Sequence, residues 1–265
     1  MGRLGERFAA LRARGEGALV PFLSAGDPDL ATTEALLPVL AEAGADAVEL
    51  GVPFSDPIAE GSTIQRSSER ALASGTTLHR ILQLVKQVRP KLRVPLVLMG
   101  YANPFFTMGE ERFAAAAAEV GVDGVIVPDL PPEEGARFYD ALEGAGIDPV
   151  LLAAPTTTPE RLERLAARSR GFLYYVALTG VTGARELVAE DLEAGVRRAR
   201  EISDLPVCVG FGISTPEQVA EIRRYADGVV VGSALIDRIA AESQTSARLA
   251  VAAEFVTALK APLRP

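Results

Sequence analysis

One carboxylate, Glu49, has the surroundings that acid/base chemistry requires. It lies in Asp46-Ala-Val-Glu-Leu-Gly51 with apolar residues on both sides, at the end of a predicted short buried strand. Gly51 and Pro53 then end the strand and begin a loop. Two interpretations are open at this point. Glu49 is either a strand-end residue that forms a salt bridge, or a catalyst whose pKa is raised by its apolar surroundings.

Other residue types that commonly carry catalysis are scarce in the sequence. His79 is the only histidine and Cys208 the only cysteine, which excludes a histidine pair, a disulfide framework and a cysteine metal site. We interpret His79 as a helix-surface residue and Cys208 as a buried strand residue. A Schiff-base aldolase is disfavoured because it needs a desolvated lysine, and the lysines lie in predicted helical or terminal segments: Lys86, Lys91 and Lys260. If the protein is an enzyme without a cofactor, its acid and base are therefore carboxylates, with help from tyrosine.

Three glycine-rich breaks follow the last predicted strands: Gly180-Val-Thr-Gly183, Gly210-Phe-Gly212 and Gly232-Ser233. Glycine allows the backbone to approach a ligand closely, although it also serves ordinary turns. In barrels of parallel strands, a phosphate commonly binds among these loops and at the N-terminus of a short extra helix. The breaks together predict a phosphate site built from backbone amides. The loops at 53–61 and 178–185 are rich in Gly, Pro, Ser and Thr, which is typical of an active-site lid or a contact surface; a flexible connection is the alternative.

The elements that must position these residues alternate between strands and helices along the whole chain. The predicted strands cover 18–25, 46–51, 95–99, 122–127, 149–153, 172–177, 206–209 and 228–231. Their apolar runs are continuous rather than alternating, which is typical of a parallel sheet covered on both faces. Each strand is followed by a helical segment, and a helix carrying Leu4, Phe8 and Leu11 precedes the first strand.

Eight strand–helix units predict an α/β fold, a (β/α)8 TIM barrel with an extra N-terminal helix and a short phosphate-binding helix after the eighth strand. We expect a single domain over residues 1–265; an open doubly wound sheet is the alternative. In a (β/α)8 barrel, chemistry takes place at the C-terminal ends of the strands. Glu49 lies at such an end, which favours the catalytic interpretation.

Composition narrows the classes of partner. Apolar residues make up 48% of the 265 residues and charged residues 23%, as in ordinary globular proteins. The net charge of −8, with no cluster of Lys and Arg, argues against nucleic-acid binding. No apolar run approaches the roughly 20 residues of a membrane helix, and the N-terminus has no signal-peptide core. We therefore expect an unexported, cytoplasmic protein.

Five motifs occur in order and extend through essentially the whole chain. They are Pro21-Phe-Leu-Ser-Ala-Gly-Asp-Pro28, Glu49-Leu-Gly-Val-Pro-Phe-Ser-Asp-Pro-Ile-Ala-Glu-Gly61 with Ile64-Gln65, Met99-Gly-Tyr-Ala-Asn-Pro104, Gly180-Val-Thr-Gly183 and Gly210-Phe-Gly-Ile213. This set resembles the α subunit family of tryptophan synthase. The resemblance implies a carbon–carbon lyase of tryptophan biosynthesis that cleaves indole-3-glycerol phosphate to indole and glyceraldehyde 3-phosphate without a cofactor. It also implies a β subunit that carries pyridoxal phosphate, in an allosteric α2β2 complex.

The resemblance also implies the roles of the two carboxylates. Glu49 matches the acid/base that moves protons during the cleavage, in agreement with the argument from its surroundings. Glu60 matches a second carboxylate that meets the indole N–H and stabilises positive charge on the ring. The family usually has Asp at this position, and the additional methylene of Glu60 adds roughly 1 to 1.5 Å of reach. Either the loop is displaced or the role of Glu60 is only approximately kept.

Further residues match family positions that contact the substrate or the partner. The substrate-binding set is Phe22, Met99, Tyr101, Tyr174, Thr182, Gly183, Phe211, Gly212, Gly232 and Ser233. Within it, Phe22, Met99 and Phe211 wall the indole pocket, with core packing as the alternative, and Tyr174 orients the catalytic glutamate. The remaining roles are lid closure by Thr182 and phosphate binding by Gly183, Gly212, Gly232 and Ser233. The residues that face the partner are Pro53, Asp56, Asn103 and Pro131. The resemblance implies no metal.

Two other functions stay open. One is a different phosphate-binding barrel, such as a sugar isomerase or epimerase; the absence of metal ligands and the motif Pro53-Phe-Ser-Asp-Pro57 count against it. The other is a catalytically weak α-type subunit that acts mainly as an allosteric activator of the β subunit. The departure at Glu60 keeps this second alternative open.

Overall fold

The computed structural model describes residues 2–58, 60–176, 185–210 and 212–265, without the side chains of 185–190. Its strands are β1 (Ala18–Ser24), β2 (Val48–Gly51), β3 (Leu96–Met99), β4 (Gly124–Ile126), β5 (Asp148–Pro149), β6 (Leu152–Ala153), β7 (Leu173–Val176), β8 (Val207–Gly210) and β9 (Gly228–Val231). Its helices are α1 (Arg3–Ala13), α2 (Leu30–Glu42), α3 (Ser62–Ala73), α4 (Leu78–Val88), α5 (Ala102–Met108), α6 (Glu110–Val120), α7 (Ala136–Gly144), α8 (Pro159–Arg168), α9 (Arg185–Ile202), α10 (Pro216–Ile222), α11 (Ser233–Ala241) and α12 (Thr245–Lys260). A 3-10 turn, Ala261–Leu263, follows α12.

The strands form one parallel sheet in the order β5-β4-β3-β2-β1-β9-β8-β7-β6. The two outermost strands, β5 and β6, are consecutive in the chain and together correspond to the predicted fifth strand, 149–153. Between them the backbone changes neighbours, since Val150 N donates to Val125 O at 2.9 Å and Tyr174 N donates to Leu151 O at 3.0 Å. The two edges of the sheet thus belong to one segment, and the sheet curls into a barrel. The predicted (β/α)8 fold is confirmed.

Side chains along each strand alternate between the barrel interior and the surrounding helices, as the pleat requires. The interior cluster consists of Leu4, Phe8, Leu11, Ala18, Val20, Ala47, Val97, Ile126, Val150, Phe172, Tyr174, Cys208 and Val230. In the segment leading through β2, Ala47 belongs to this cluster, whereas Val48 and Leu50 pack in the outer cluster beneath the helices. Glu49 lies between Val48 and Leu50, so its side chain points into the barrel.

Helix α1 covers the N-terminal end of the barrel. Its apolar residues Leu4, Phe8 and Leu11 are buried in the interior cluster, and the ring of Phe8 lies 5.4 Å from that of Phe172. Gly124 leaves the room that Leu4 needs, because a Cβ at this position would lie 2.8 Å from Leu4 Cδ1. With one end covered, the open mouth of the barrel is at the C-terminal ends of the strands.

Aspartates recur at the N-terminal end of the barrel, an arrangement that the sequence analysis did not identify. Each lies just before a strand, and its carboxylate accepts a hydrogen bond from a backbone amide of the neighbouring strand. The pairs are Asp46 with Leu19 at 2.8 Å, Asp123 with Leu96 at 2.8 Å and Asp227 with Val207 at 3.0 Å. Basic side chains complete the three sites: Arg7 and Lys260 on Asp46, Arg3 and Arg89 on Asp123, and Arg200 on Asp227. This end of the barrel is therefore held together by paired charges.

The structure departs from the predicted elements at the start of one helix and by one additional helix. The pair Pro131-Pro132 is typical of a first helical turn and predicts a helix from there to Leu142, but α7 begins at Ala136. The amides of Glu134 and Gly135 both donate to Pro131 O, so residues 131–135 form a turn that precedes the helix. Helix α5 was not predicted, because it is only seven residues long. None of the helices in the described ranges has the length and apolarity that a membrane crossing needs.

Candidate active site

Glu49 is a buried carboxylate near the mouth of the barrel. It is 1% exposed and lies opposite Phe22 of β1 and Val97 of β3 in the parallel pairing. Among the described residues, its Oε2 atom is buried and has no hydrogen-bond partner, and no Lys or Arg lies within ion-pair distance. Burial raises the pKa of Glu49 to about 8, with a further contribution from the charge of Glu60. The salt-bridge interpretation is thus unsupported in the described part of the chain, and Glu49 carries a proton at neutral pH.

Glu60 is the second carboxylate at the mouth. It lies two residues before α3, is half-buried, and burial raises its pKa to about 7. Since this value is below that of Glu49, Glu60 is already charged when Glu49 titrates, and its charge helps Glu49 to keep its proton. The structure therefore brings the two predicted carboxylates close enough to interact, so that they titrate as a coupled pair.

Tyr174 on β7 also faces the barrel interior. Burial raises its pKa well above the ordinary value, and the charge of Glu49 raises it further, so the phenol lies within electrostatic reach of Glu49. Gly210 of β8 makes room for it, because a Cβ there would lie 2.2 Å from the Tyr174 hydroxyl oxygen. Tyr175 points the opposite way, against Gly195 of α9. The two adjacent tyrosines therefore lie on opposite faces of β7, as the pleat of a strand requires.

Aromatic and apolar side chains surround this part of the barrel mouth. The ring of Phe22 lies between the ends of two strands: a Cβ at Gly51 would meet its Cζ at 2.5 Å, and one at Gly232 its Cδ1 at 3.3 Å. Met99 is half-buried and packs on the interior cluster. Tyr101 is buried and stacks on Phe54 of the next loop, with ring centroids 5.2 Å apart.

The expected phosphate-binding residues lie where β8 and β9 end. Gly212 is exposed and has φ of 72°, a conformation that favours glycine. Gly232 is the N-cap of the nine-residue helix α11, and the exposed Ser233 is its first residue. The first amides of a helix have no intrahelical partner and form a partially positive end. Thr182, Gly183 and Phe211, also predicted for the substrate site, lie outside the described residues.

The residues expected to face a partner follow the C-terminal ends of β2, β3 and β4. Asp56 and Asn103 are exposed, Pro131 is half-buried and Pro53 is buried. Two large exposed apolar side chains near these residues were not predicted, namely Ile58 in the loop after β2, which is 85% exposed, and Phe106 on α5, which is 42% exposed. The exposure of Ile58 could have been inferred from the sequence, because this isoleucine lies in a loop that is rich in Gly, Pro, Ser and Asp.

Polar contacts that are not evident from the sequence also order the loops at the barrel mouth. Asp27 after β1 accepts two hydrogen bonds of 2.7 Å from Arg70 of α3. Gln65 Nε2 donates to the backbone oxygen of Glu60 at 2.8 Å. Asp129, in the loop after β4, accepts from the first amide of α5, Ala102 N, at 2.9 Å. In the described ranges, no three His, Cys, Asp or Glu side chains are grouped as metal ligands.

The fold and the buried carboxylate at the mouth define a (β/α)8-barrel enzyme. The family model described as tryptophan synthase alpha chain matches residues 8–262, and the chain belongs to this family, as its motifs predict. The tryptophan synthase alpha chain of Citrifermentans bemidjiense is 56% identical over 260 residues, which cover 98% of this chain and 97% of that relative.

Solved structures agree with this membership. Tryptophan synthase subunit alpha from Legionella pneumophila str. Paris superposes with a TM-score of 0.91 at 37% identity, over 99% of this chain and 98% of that one. A chain of M. tuberculosis tryptophan synthase in its aminoacrylate-bound form gives a TM-score of 0.89 at 35% identity, over 100% of both chains.

Proposed function

We infer that this chain is a lyase of tryptophan biosynthesis that cleaves indole-3-glycerol phosphate to indole and glyceraldehyde 3-phosphate. The observation that carries the inference is the buried Glu49 at the C-terminal end of β2, whose Oε2 has no hydrogen-bond partner among the described residues, in a chain that belongs to the tryptophan synthase alpha chain family. The family gives the reaction, and Glu49 provides the acid that the reaction needs. We propose the roles of the individual residues below.

Glu49 acts as the proton donor and then as the acceptor. Its carboxylic acid protonates carbon 3 of the indole ring, which leaves positive charge on the ring nitrogen. The carboxylate so formed accepts the proton of the hydroxyl on the adjacent glycerol carbon. The electron pair of that O–H bond forms the carbonyl of glyceraldehyde 3-phosphate, and the electrons of the broken carbon–carbon bond return to the ring. A carboxyl whose pKa is near the working pH suits both steps.

Glu60 stabilises the positive charge that builds up on the indole ring. Its pKa of about 7 leaves much of it ionised at pH 7.5, when Glu49 still holds its proton. A carboxylate facing the ring N–H in a site with little water interacts strongly with that charge. Tyr174 would help to hold Glu49 in place, since the two side chains are close in the barrel interior.

The phosphate of the substrate would bind at the N-terminus of α11. Gly232 and Ser233 lie where the helix presents free amides, and neutral amides suit a phosphate dianion in a protein of net charge −8. Gly212, together with Gly183 outside the described residues, is proposed for the same site. The ring of Phe22 packs against Gly232 and lies opposite Glu49 in the strand pairing, so the apolar wall extends from the acid towards the phosphate end.

The family name implies a partner, the β subunit of tryptophan synthase. We propose an α2β2 heterotetramer in which pyridoxal phosphate belongs to the β subunit and this chain works without a cofactor. The exposed Asp56, Asn103 and Ile58 on the loops at the barrel mouth support this choice of docking face. A cytoplasmic location and a single domain over residues 1–265 remain predictions.

Release of indole from indole-3-glycerol phosphate tests the function directly. The purified chain should release indole, and faster when the β subunit is added. Glu49→Gln should abolish release in both conditions while glycerol phosphate still binds, because Gln keeps the shape but cannot transfer a proton. The matched control is Glu119→Gln, which changes an exposed glutamate paired with Lys86 on the helices outside the barrel.

Three outcomes would contradict this function. No release from the unmodified chain in either condition would exclude the lyase. Release only in the presence of the β subunit would favour the activator alternative. Near-normal turnover by Glu49→Gln would remove the acid/base role from this residue.

A further inference from the structure

Glu60 lies on a loop whose connection to α3 has no ordinary side-chain cap. The N-cap residue of α3 is Gly61, and no side chain caps the first turn. The backbone amide of Gln65 donates to Gly61 O at 3.0 Å, which begins the helical pattern but does not fix Glu60. A cap on α3 therefore does not hold the backbone of Glu60 in place.

The side chain of Gln65 contacts this backbone. Its Nε2 donates to Glu60 O at 2.8 Å and reaches Pro57 O at 3.5 Å, the upper limit for a hydrogen bond. Side chains in a helix tilt towards its N-terminus, so a residue in the first turn is well placed to reach back over the preceding loop. One amide group thus contacts the backbone of both Pro57 and Glu60.

Helix α3, which carries Gln65, is itself anchored to two parts of the barrel. Three contacts hold it: Ser67 Oγ to Ser24 Oγ at 2.5 Å, the paired bonds of Arg70 to Asp27 at 2.7 Å, and Thr63 Oγ1 to Asp237 at 3.1 Å. The first two join α3 to the end of β1, and the third joins it to α11, the proposed phosphate helix. Gln65 therefore projects from a fixed support, as a positioning residue must.

We propose that Gln65 is a positioning residue for Glu60, whose backbone it holds in place at the barrel mouth. The proposal rests on the proposed function, in which Glu60 stabilises the charged ring. Gln65 itself is exposed and does not touch the reacting atoms. Its removal leaves no cavity, so the effect should be on catalysis rather than on folding.

Gln65→Met tests the proposal because methionine has similar length and no donor. We expect kcat for indole release to fall about 3- to 10-fold, the range for one lost hydrogen bond. KM should stay within about 2-fold, since the phosphate end of the site is unchanged, and the melting temperature should not move. The control is Gln83→Met, which removes another exposed helical glutamine, bonded to His79 at 3.0 Å on α4, and should leave kcat unchanged.

A double-mutant cycle shows whether Gln65 acts through Glu60. In a Glu60→Gln background, Gln65→Met should cause no further loss. The same 3- to 10-fold loss in both backgrounds would overturn the proposal, and so would a crystal structure of Gln65→Met in which Glu60 keeps its place. Full activity of Glu60→Gln alone would remove the role of Glu60 and, with it, that of Gln65. A wild-type kcat in Gln65→Met, when Glu60→Gln is impaired, would overturn the positioning role alone.

Discussion

Replacement of Glu49 by glutamine should make the protein more stable, and increasingly so as the pH rises. Glu49 is 1% exposed, and its Oε2 atom has no hydrogen-bond partner among the described residues. Such a carboxyl is tolerated as the neutral acid, but its ionised form is costly inside the barrel. Glutamine has nearly the same shape and cannot ionise, so it removes this cost.

The expected size follows from the pKa. Unfolding returns the pKa of Glu49 from about 8 to its ordinary value of 4.5. Between these values the folded chain binds more protons than the unfolded chain, so the free energy of unfolding falls as pH rises and levels off above about pH 8. At about 1.4 kcal/mol per pH unit, the full interval corresponds to about 5 kcal/mol. Relaxation and water entry lower such costs, so we expect a gain of about 2 to 5 kcal/mol for Glu49→Gln at pH 9 relative to pH 5.

Urea denaturation of the wild type and the variant from pH 5 to pH 9 measures this gain. The contribution of Glu60 is present in both proteins and largely cancels. Glu119→Gln serves as the control, because its carboxylate is 71% exposed, and we expect it to stay within about 0.5 kcal/mol of the wild type at each pH. A stability difference between wild type and Glu49→Gln that is the same at pH 5 and pH 9 would refute the claim that Glu49 is buried as a neutral acid.

Two further predictions concern the two ends of the barrel. The dependence of kcat/KM on pH should be bell-shaped, because activity falls above about pH 8 as Glu49 loses its proton and below about pH 7 as Glu60 gains one. If the fall at low pH persists in Glu60→Gln, it does not come from Glu60. Lys260→Met should lower the free energy of unfolding in urea by about 2 to 4 kcal/mol, because it removes a buried partner of Asp46, with kcat within 2-fold. The control is Lys86→Met, which removes one partner of an exposed ion pair and should lower the free energy of unfolding by less than about 0.5 kcal/mol.

The barrel and its main carboxylate were predictable because their signals are local. Short runs of mostly apolar residues form strands such as β1 and β3. The sequences Thr158-Pro-Glu and Thr215-Pro-Glu are typical helix starts, and both threonines are N-caps, of α8 and α10. Glu49 interrupts such a run two residues before Gly51, so its position at a strand end could be derived from the sequence. Its location at the mouth then followed from the rule that barrel chemistry takes place at the C-terminal ends of the strands.

The contacts that fix Glu60 could not be predicted, because they join residues whose proximity depends on the folded chain. The Asp27–Arg70 pair spans 43 positions of sequence. Gln65 is only five residues from Glu60, yet its hydrogen bond depends on where α3 begins, and helix starts are the least certain part of a sequence-based assignment.

The turn before α7 was not predicted because the start of that helix is equally uncertain from the sequence. Proline at 131 fits a first helical turn or an ordinary turn equally well, and the backbone bonds that decide between them are not encoded in any single residue.

Burial alone does not identify the catalytic carboxylate of this barrel. Asp46 and Glu49 are three residues apart, and each is 1% exposed. Asp46 accepts from Leu19 N and is paired with Arg7 and Lys260 at the N-terminal end of the barrel, whereas Glu49 has no cation beside it in the described part of the chain. The pairing keeps Asp46 bound in place as part of the support, while the lack of pairing leaves Glu49 with a proton to transfer. The same degree of burial thus goes with a structural role where the carboxylate is paired and with a proposed catalytic role where it is not.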